Sequence, residues 1–220
     1  MSALVNKERL ARAKQNRRER RRRIVEAAAH LFVRQPYATV TLDYIGRRIG
    51  VGKGIASVHF ATKEELFLEV LRDALSRWFD EITEKLDGSG EPLDRTALAS
   101  LLADDLAGRP DLTRLLCMAH NTIEQNVEIM PAQVFLDDAR ERALELAERL
   151  ERRCSALGPG EGAAFLRRLA VLVIGLRQTA NPSGLFAALL QDESVEPFRA
   201  ELRGELRFLI ERILPGPGDD

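Results

Sequence analysis

The sequence predicts an all-α fold, with a small N-terminal domain followed by a larger helical body. Along most of the 220 residues, apolar side chains recur every three or four positions, which is the spacing of one helix face. No segment alternates apolar and polar residues as a half-buried strand does, and aromatic residues, which strands favour, make up only 5% of the chain. Clusters of glycine and proline divide the pattern into segments of ordinary helix length.

The first elements are a basic arm and an amphipathic helix. Residues 1–17 carry scattered Lys and Arg with little apolar content, which predicts a flexible arm. From Arg18 the apolar residues follow helical spacing as far as Gln35, where Pro36 ends the helix. The run from Arg20 to Arg23 lies on the first two turns and is either a solvated helix start or a phosphate-binding edge.

Two short helices joined by a glycine turn come next. Thr41 is a suitable N-cap for a helix over 42–49, and Gly50 supplies the left-handed residue that ends it. Another short helix is expected over 53–60. Two short helices at this spacing predict a helix-turn-helix, although many helical hairpins share the pattern.

The rest of the chain predicts a series of helices. Thr62 and Glu65 form a capping box that opens a long helix through Leu86. Further helices are expected over 93–107, 111–129, 132–156, 161–179, 185–190 and 196–213. The domain boundaries that follow are 1–17 for the arm, 18–65 for the helix-turn-helix domain, 66–214 for the body, and 215–220 for a disordered tail.

Charge is divided unevenly along the chain. The net charge is −1, yet residues 1–63 contain 15 Lys and Arg against 4 Asp and Glu, whereas the remainder contains 18 basic and 30 acidic residues. A basic N-terminal part on an acidic body predicts a polyanionic partner, and it favours phosphate contact by the run Arg20 to Arg23. Charge alone gives the sign of the partner, so duplex DNA, RNA and an anionic membrane surface all fit.

Catalytic motifs and metal-ligand spacings are missing. The sequence has no GxSxG, HExxH, Walker A or GxGxxG pattern, and its three histidines, His30, His59 and His120, lack metal-ligand spacing. We therefore expect no enzyme activity, no metal and no cofactor. No stretch approaches the roughly 18 apolar residues of a membrane span, and no signal peptide or disulfide pattern is present, so a cytoplasmic protein without a membrane partner is expected.

From Thr41 the sequence runs TLDYIGRRIGVGKGIASVHFATKEELF. It contains the helix-turn-helix, the glycine-rich segment Val51-Gly52-Lys53-Gly54, the pair His59-Phe60, and the start of the following long helix. This segment resembles the DNA-binding domain of the TetR family of bacterial regulators. Beyond residue 70 the resemblance is one of helix number, length and order. It implies an N-terminal three-helix DNA-binding domain and a C-terminal helical domain for ligand binding and dimerisation.

The resemblance also implies which residues contact DNA. Thr41 would cap the second helix and donate to a phosphate, and Lys63 would bind phosphate. The residues facing the DNA would be Gly52, Lys53, Gly54, Ile55, Ser57, Val58 and His59. Together with Arg20 and Arg21 of the basic run, these form the expected DNA-binding set.

The recognition helix departs from the family pattern. Ala56-Ser57 stands where members commonly carry a Leu-Tyr pair, so few long polar side chains are available to bind base edges. We expect the basic N-terminal segment to compensate, through Lys14, Arg17, Arg18, Arg20 and Arg21, by reaching the minor groove or flanking phosphates. Deleting residues 1–17 should then weaken operator binding and reduce its salt dependence.

For the body, the resemblance implies a homodimer on a palindromic operator. The helices 161–179 and 196–213 of two subunits would pack as a four-helix bundle, the alternative being that their apolar stripes serve only the intrachain core. An unidentified small-molecule effector, apolar or cationic, would bind between the body helices. The expected lining residues, each of which is more often a core or solvated residue, are Trp78, Cys117, His120, Asn121, Glu124, Asn126 and Phe135.

The sequence thus predicts a sequence-specific DNA-binding regulator, acting as a ligand-responsive repressor. A helical interaction module whose basic N-terminal part binds RNA or an anionic membrane is the alternative. The two differ in sequence dependence, since only the regulator keeps a preferred duplex site at a salt concentration that abolishes non-specific binding.

Overall fold

The computed structural model describes residues 2–50, 52, 54–180 and 201–215. Its α-helices are α1 Ser2–Arg34, α2 Leu42–Arg48, α3 Ile55–His59, α4 Lys63–Gly88, α5 Arg95–Ala107, α6 Pro110–Met118, α7 Ile129–Arg153, α8 Gly162–Ala180 and α9 Leu202–Ile213. No strand occurs in this part of the chain, and the predicted all-α fold is confirmed. None of the described helices combines the length and hydropathy that a membrane crossing needs.

Several predictions fall on other residues. The predicted helix 185–190, the start of the helix predicted over 196–213, and residues 216–220 lie outside the described ranges, as do Val51 and Lys53.

Helix α1 begins earlier than the sequence predicted. The expected start at Arg18 is wrong, because a single helix runs from Ser2 to Arg34 and includes the segment predicted as a flexible arm. This segment contains no glycine or proline, and Ala, Leu, Arg, Lys, Gln and Glu, which dominate it, are all good helix formers. Its predicted end before Pro36 is confirmed.

The helix-turn-helix has the predicted caps. The Thr41 hydroxyl oxygen accepts a hydrogen bond from the Tyr44 N–H at 3.1 Å, and Gly50, with φ of +70°, follows the end of α2. Gly54, also left-handed with φ of +82°, precedes α3. Helix α3 is therefore shorter than the predicted 53–60, because the left-handed backbone at Gly54 is incompatible with a right-handed helix.

Helix α4 opens as the capping box predicted, with one difference. The Thr62 hydroxyl oxygen accepts from the Glu65 N–H at 3.0 Å, but the Glu65 carboxylate accepts from the Ala61 N–H at 2.8 Å, one residue before the cap. Both bonds satisfy N–H groups at the start of the helix.

The predicted helix 111–129 is wrong. Helix α6 ends at Met118, and a π-helical turn over Ala119–Ile123 and a 3₁₀ turn over Glu124–Asn126 follow it. Pro131 was expected to end this helix, but it lies in the first turn of α7 instead. The first-turn N–H groups of a helix have no intrahelical partner, so a proline costs little there.

The chain forms two compact units. The head unit is Met1–Val70 with Thr122–Ala132, and the body unit is Leu71–Asn121 with Gln133–Asp220. Ile24, Phe32, Ile45, Phe60 and Phe67 form the centre of the head core, each no more than 1% exposed. The centre of the body core contains Leu102, Leu150, Phe165, Leu206 and Ile210, likewise no more than 1% exposed.

Candidate functional site

Helix α3 is anchored by two buried residues and presents the opposite face to solvent. Ala56 and Phe60 are each 1% exposed, whereas Ser57 is exposed and Val58 is 71% exposed. Ile55 and His59 are half-buried at the edges of this face, and Gly52 is exposed just before the helix. The outward surface of α3 thus consists of small and apolar groups, as its sequence predicted.

Arg21 binds the C-terminal end of α3. Its guanidinium donates to the His59 carbonyl at 2.9 Å, lies 4.2 Å from the centre of the Phe60 ring, and is 3.4 Å from the Glu69 carboxylate. Arg23 donates in the same way to the Ile49 carbonyl at 3.2 Å, at the end of α2. A cation at a helix C-terminus donates to the free carbonyls there and interacts favourably with the negative end of the helix dipole. Two of the four arginines in the run therefore hold the helix-turn-helix against α1.

Other arginines of α1 surround the end of α3 with positive charge. Arg17 and Arg20 are exposed, and no partner for either is found in the described ranges. Partial burial, followed by the charges of Arg17, Arg20 and Arg21, lowers the pKa of His59 below its ordinary value. These arginines lie in the middle of α1, and Arg20 and Arg21 are not on its first two turns as predicted, because the helix begins at Ser2. They place positive charge beside the end of α3, where an anion would be favoured.

Two cations at the end of α2 were missed by the sequence-based prediction. Arg47 and Arg48 occupy its last turn, both exposed and without a partner among the described residues. The consecutive arginines just before the glycine turn were the signal that would have identified them. Since α2 is the first helix of the helix-turn-helix, they are suited to contact a phosphate backbone.

Thr41 and Lys63, both predicted to bind phosphate, have protein partners in the head unit. The Thr41 hydroxyl accepts from the Tyr44 N–H, which leaves its own proton for another acceptor. The Lys63 ammonium donates to the Tyr37 carbonyl at 3.1 Å and lies 3.8 Å from the centre of the Tyr37 ring. An ammonium group has three donors, so this bond leaves two for a phosphate.

The body unit contains a cavity of about 350 Å³. Helices α4 to α8 line it, and most of the lining is aliphatic or aromatic, including Leu75, Trp78, Leu112, Leu144, Leu166 and Val173. Of the predicted ligand contacts whose side chains are described, only Trp78 lines this cavity. The volume lies within the range of small-molecule sites.

The other predicted ligand contacts lie elsewhere. Phe135 borders a separate small void, the Cys117 thiol lies 3.6 Å from the Ile174 carbonyl, and the Asn126 carbonyl accepts from the Thr62 hydroxyl at 2.8 Å. Asn121 and Glu124 belong to the π and 3₁₀ turns after α6, and His120 lies in the same π turn. Burial raises the pKa of Cys117, so its thiol stays protonated and unreactive at neutral pH.

This geometry, in which a glycine turn precedes the exposed recognition helix and nearby arginines have no partner among the described residues, defines a helix-turn-helix DNA-binding regulator. Residues 24–70 match the model of the "Bacterial regulatory proteins, tetR family", and residues 72–217 match that of the "Tetracyclin repressor-like, C-terminal domain". The chain belongs to the TetR family of transcriptional regulators.

Curated relatives are also helix-turn-helix regulators. HbdR of Aromatoleum sp. (strain CIB) is 26% identical over 141 residues, covering 64% of this chain and 59% of the relative. YhgD of Bacillus subtilis (strain 168) is 35% identical over 74 residues, covering 34% and 37%. The chain thus spans less than two thirds of the length of these relatives. The crystal structure of Mycobacterium smegmatis AmtR aligns with 90% of this chain and 87% of its own at 22% identity, with a TM-score of 0.45.

Proposed function

We propose that this DNA-binding regulator is a ligand-responsive repressor that acts as a homodimer on a palindromic operator. The observation that carries the DNA-binding part is a set of exposed arginines, on α1 beside the end of α3 and in the last turn of α2, that have no partner among the described residues. Phosphate neutralisation by such cations supplies most of the affinity of a protein for duplex DNA.

Within this proposal the head residues divide into three roles. Ser57 and Val58 enter the major groove, where the valine methyl groups meet a thymine methyl. Arg20, Thr41 and Lys63 bind phosphates, and Arg21 positions the recognition helix through its bond to the His59 carbonyl. Among the remaining predicted contacts, Gly52 and Gly54 belong to the turn before α3, and Ile55 and His59 lie at the edges of its exposed face. Lys53, also predicted to contact DNA, lies outside the described residues.

The homodimer is supported by apolar groups that the single chain leaves in water. Leu169 and Val173 of α8 and Leu206 of α9, from the predicted apolar stripes, are buried within the body unit. Val171 of α8 is 67% exposed and Phe208 of α9 is 54% exposed, on the outer sides of the same helices. A second copy of these helices would cover them, and a two-fold dimer matches a palindromic site.

The ligand response is supported by the cavity in the body unit. A ligand changes operator affinity only if it binds one conformation of the protein more tightly than another. A ligand that binds in the cavity and stabilises a conformation with lower operator affinity therefore releases the DNA.

Selection from a random duplex library with the full chain tests the DNA-binding proposal. We expect a two-fold symmetric sequence to be enriched at about 0.2 M salt, where non-specific binding is weak, and two chains to bind each duplex. Equal retention of all duplexes, or equal binding to RNA or anionic vesicles, would show instead that the basic surface lacks sequence preference.

Val58→Ala tests the role of the recognition helix. It should lower affinity for the selected duplex about threefold and relax preference at one or two base pairs, because it removes an apolar contact to a base. Val134→Ala, at another exposed valine outside α3, is the matched control and should change neither. If Val58→Ala keeps the base preference of the unmodified chain, Val58 of α3 does not contact the bases.

A further inference from the structure

The cavity in the body unit has apolar walls and a basic edge. Sixteen of the described residues line it, and the only ionisable ones among them are Arg140 of α7 and Arg167 of α8. Both arginines are exposed, whereas Leu106, Leu112, Leu169 and Val173 on the walls are at most 2% exposed. The two cations therefore lie on the exposed edge of the lining, together with Leu144, Ala163 and Ala170, and the most buried apolar groups lie inside the cavity.

The two rim arginines differ from others on the same surface. Arg142 and Arg149 of α7 contact the carboxylates of Asp80 and Asp87 at 2.5 and 2.6 Å. Arg140 and Arg167 have no carboxylate partner in the described part of the chain, and no carboxylate lines the cavity there. A rim with positive charge and no acidic group favours an anion and repels a cation.

One residue of the cavity lining also has a buried donor without a partner in the described ranges. Trp78 is 6% exposed, and its indole Nε1–H is buried without a hydrogen-bond acceptor among the described residues. Burying a donor in this way is costly unless a partner is supplied. A ligand that carries an acceptor within its apolar part would supply that partner.

We infer that the cavity binds an amphiphilic carboxylate whose apolar part carries one hydrogen-bond acceptor. The carboxylate meets Arg140 and Arg167 at the rim, the hydrocarbon fills the apolar interior, and the acceptor receives the Trp78 N–H. This inference rests on the proposed ligand response and replaces the apolar or cationic effector expected from the resemblance. At roughly 30 Å³ for each water-sized group, the cavity of about 350 Å³ holds about a dozen non-hydrogen atoms.

The charge preference is measured with three probes of one chain length: sodium decanoate, neutral 1-decanol and decyltrimethylammonium. Trp78 is the only tryptophan, so its fluorescence reports binding directly. We expect decanoate to bind at least tenfold more tightly than either other probe. Raising the salt concentration should weaken the binding of decanoate and leave the binding of decanol unchanged, because salt screens exposed charges.

Arginine variants test the rim. The double variant Arg140→Gln with Arg167→Gln should lose about tenfold in decanoate affinity and keep its decanol affinity. The matched control is Arg168→Gln, because Arg168 is an exposed arginine on α8 outside the cavity lining. This variant should bind decanoate as tightly as the unmodified chain does.

The indole donor is tested with decanoates that carry a ketone at carbons 5 to 8. At least one should bind about fivefold more tightly than decanoate, as expected for one added hydrogen bond. In Trp78→Phe, measured by calorimetry, this advantage should disappear while decanoate itself still binds.

The outcomes separate this inference from the ligand-response proposal. Equal binding of decanoate and decanol, tighter binding of the cation, or binding of none of the probes overturns the inference. If decanol binds as tightly as decanoate and releases the operator, the ligand-response proposal is supported and the inferred ligand class is wrong. If decanoate binds as expected but the operator affinity stays constant, the inferred ligand class is supported and the ligand-response proposal is wrong.

Discussion

Arginines serve different purposes in the two units of this protein. In the body unit, Arg109, Arg142 and Arg149 each pair with a carboxylate on another helix. In the head unit, Arg21 and Arg23 donate to carbonyls at helix ends, and Arg17, Arg20, Arg47 and Arg48 have no partner in the described ranges. The difference follows from the distribution of acids, which outnumber basic residues after residue 63 and are scarce before it. These three arginines of the body thus join its helices, whereas four exposed arginines of the head stay available to an external anion.

The largest effect should come from the charge cluster of the body. Asp105, with a side chain 3% exposed, contacts Lys85 and Arg109. Asp105→Asn removes the shared anion, but Lys85 is 47% exposed and Arg109 keeps its pair with Glu81. The cost should therefore be below that of a fully buried pair, at about 2 kcal/mol. Urea unfolding should show this loss, while operator affinity of the folded protein stays the same.

The neighbouring Asp104→Asn is the control, because the ion pair between Asp104 and Arg203 is 62% exposed on both sides and should contribute little. Acid should have a similar effect on the cluster. Burial raises the pKa of Asp105, but the hydrogen bonds from Arg109 and Lys85 outweigh it and lower the pKa below its ordinary value. Stability from this group is present above about pH 4 and is lost at lower pH. Equal stability of both variants would contradict a structural role for the cluster.

A smaller effect should follow from replacing Arg21 with lysine. The positive charge is kept, but the planar group that stacks on Phe60 and donates to the His59 carbonyl is lost. We expect about a tenfold loss of operator affinity in fluorescence anisotropy, because α3 loses one of the contacts that position it. Arg22→Lys, at a residue that pairs on the surface with Glu19 and Glu26, should bind as the unmodified chain does. If Arg21→Lys binds the operator as tightly as the unmodified chain, Arg21 contacts a phosphate and does not position α3.

Operator binding should also depend mildly on pH through His59. Partial burial and the nearby arginines lower its pKa, so the free protein loses stability as pH falls below about 6.5. DNA phosphates neutralise those arginines and make protonation easier, so the complex gains protons. Affinity should therefore rise about threefold from pH 7.5 to 6, and His59→Gln should remove this rise. His30→Gln, at an exposed histidine of α1, should retain it.

Sequence patterns predicted those features that depend on neighbouring residues. The Thr41 cap, the left-handed Gly50 and the start of α4 each need only a few adjacent positions, and all three are confirmed. The start of α1 was missed because a low apolar content was taken as a sign of mobility, although the segment is rich in helix-forming residues.

Other features depend on residues far apart in the chain. The bond from Arg21 to the His59 carbonyl joins positions 38 residues apart. The cavity is lined by five helices, and its rim joins Arg140 and Arg167 from two of them. No local periodicity encodes either arrangement, because both arise from the packing of helices against one another.

The salt dependence of operator binding tests the central difference between head and body most directly. For the selected duplex, the slope of log affinity against log salt should be steep, at about 0.9 for each phosphate neutralised. Arg17→Gln with Arg20→Gln should reduce the slope by about 2 per subunit, whereas Arg149→Gln in the body should leave it unchanged. Equal slopes for the head and body variants would contradict the assignment of the unpaired head arginines to DNA.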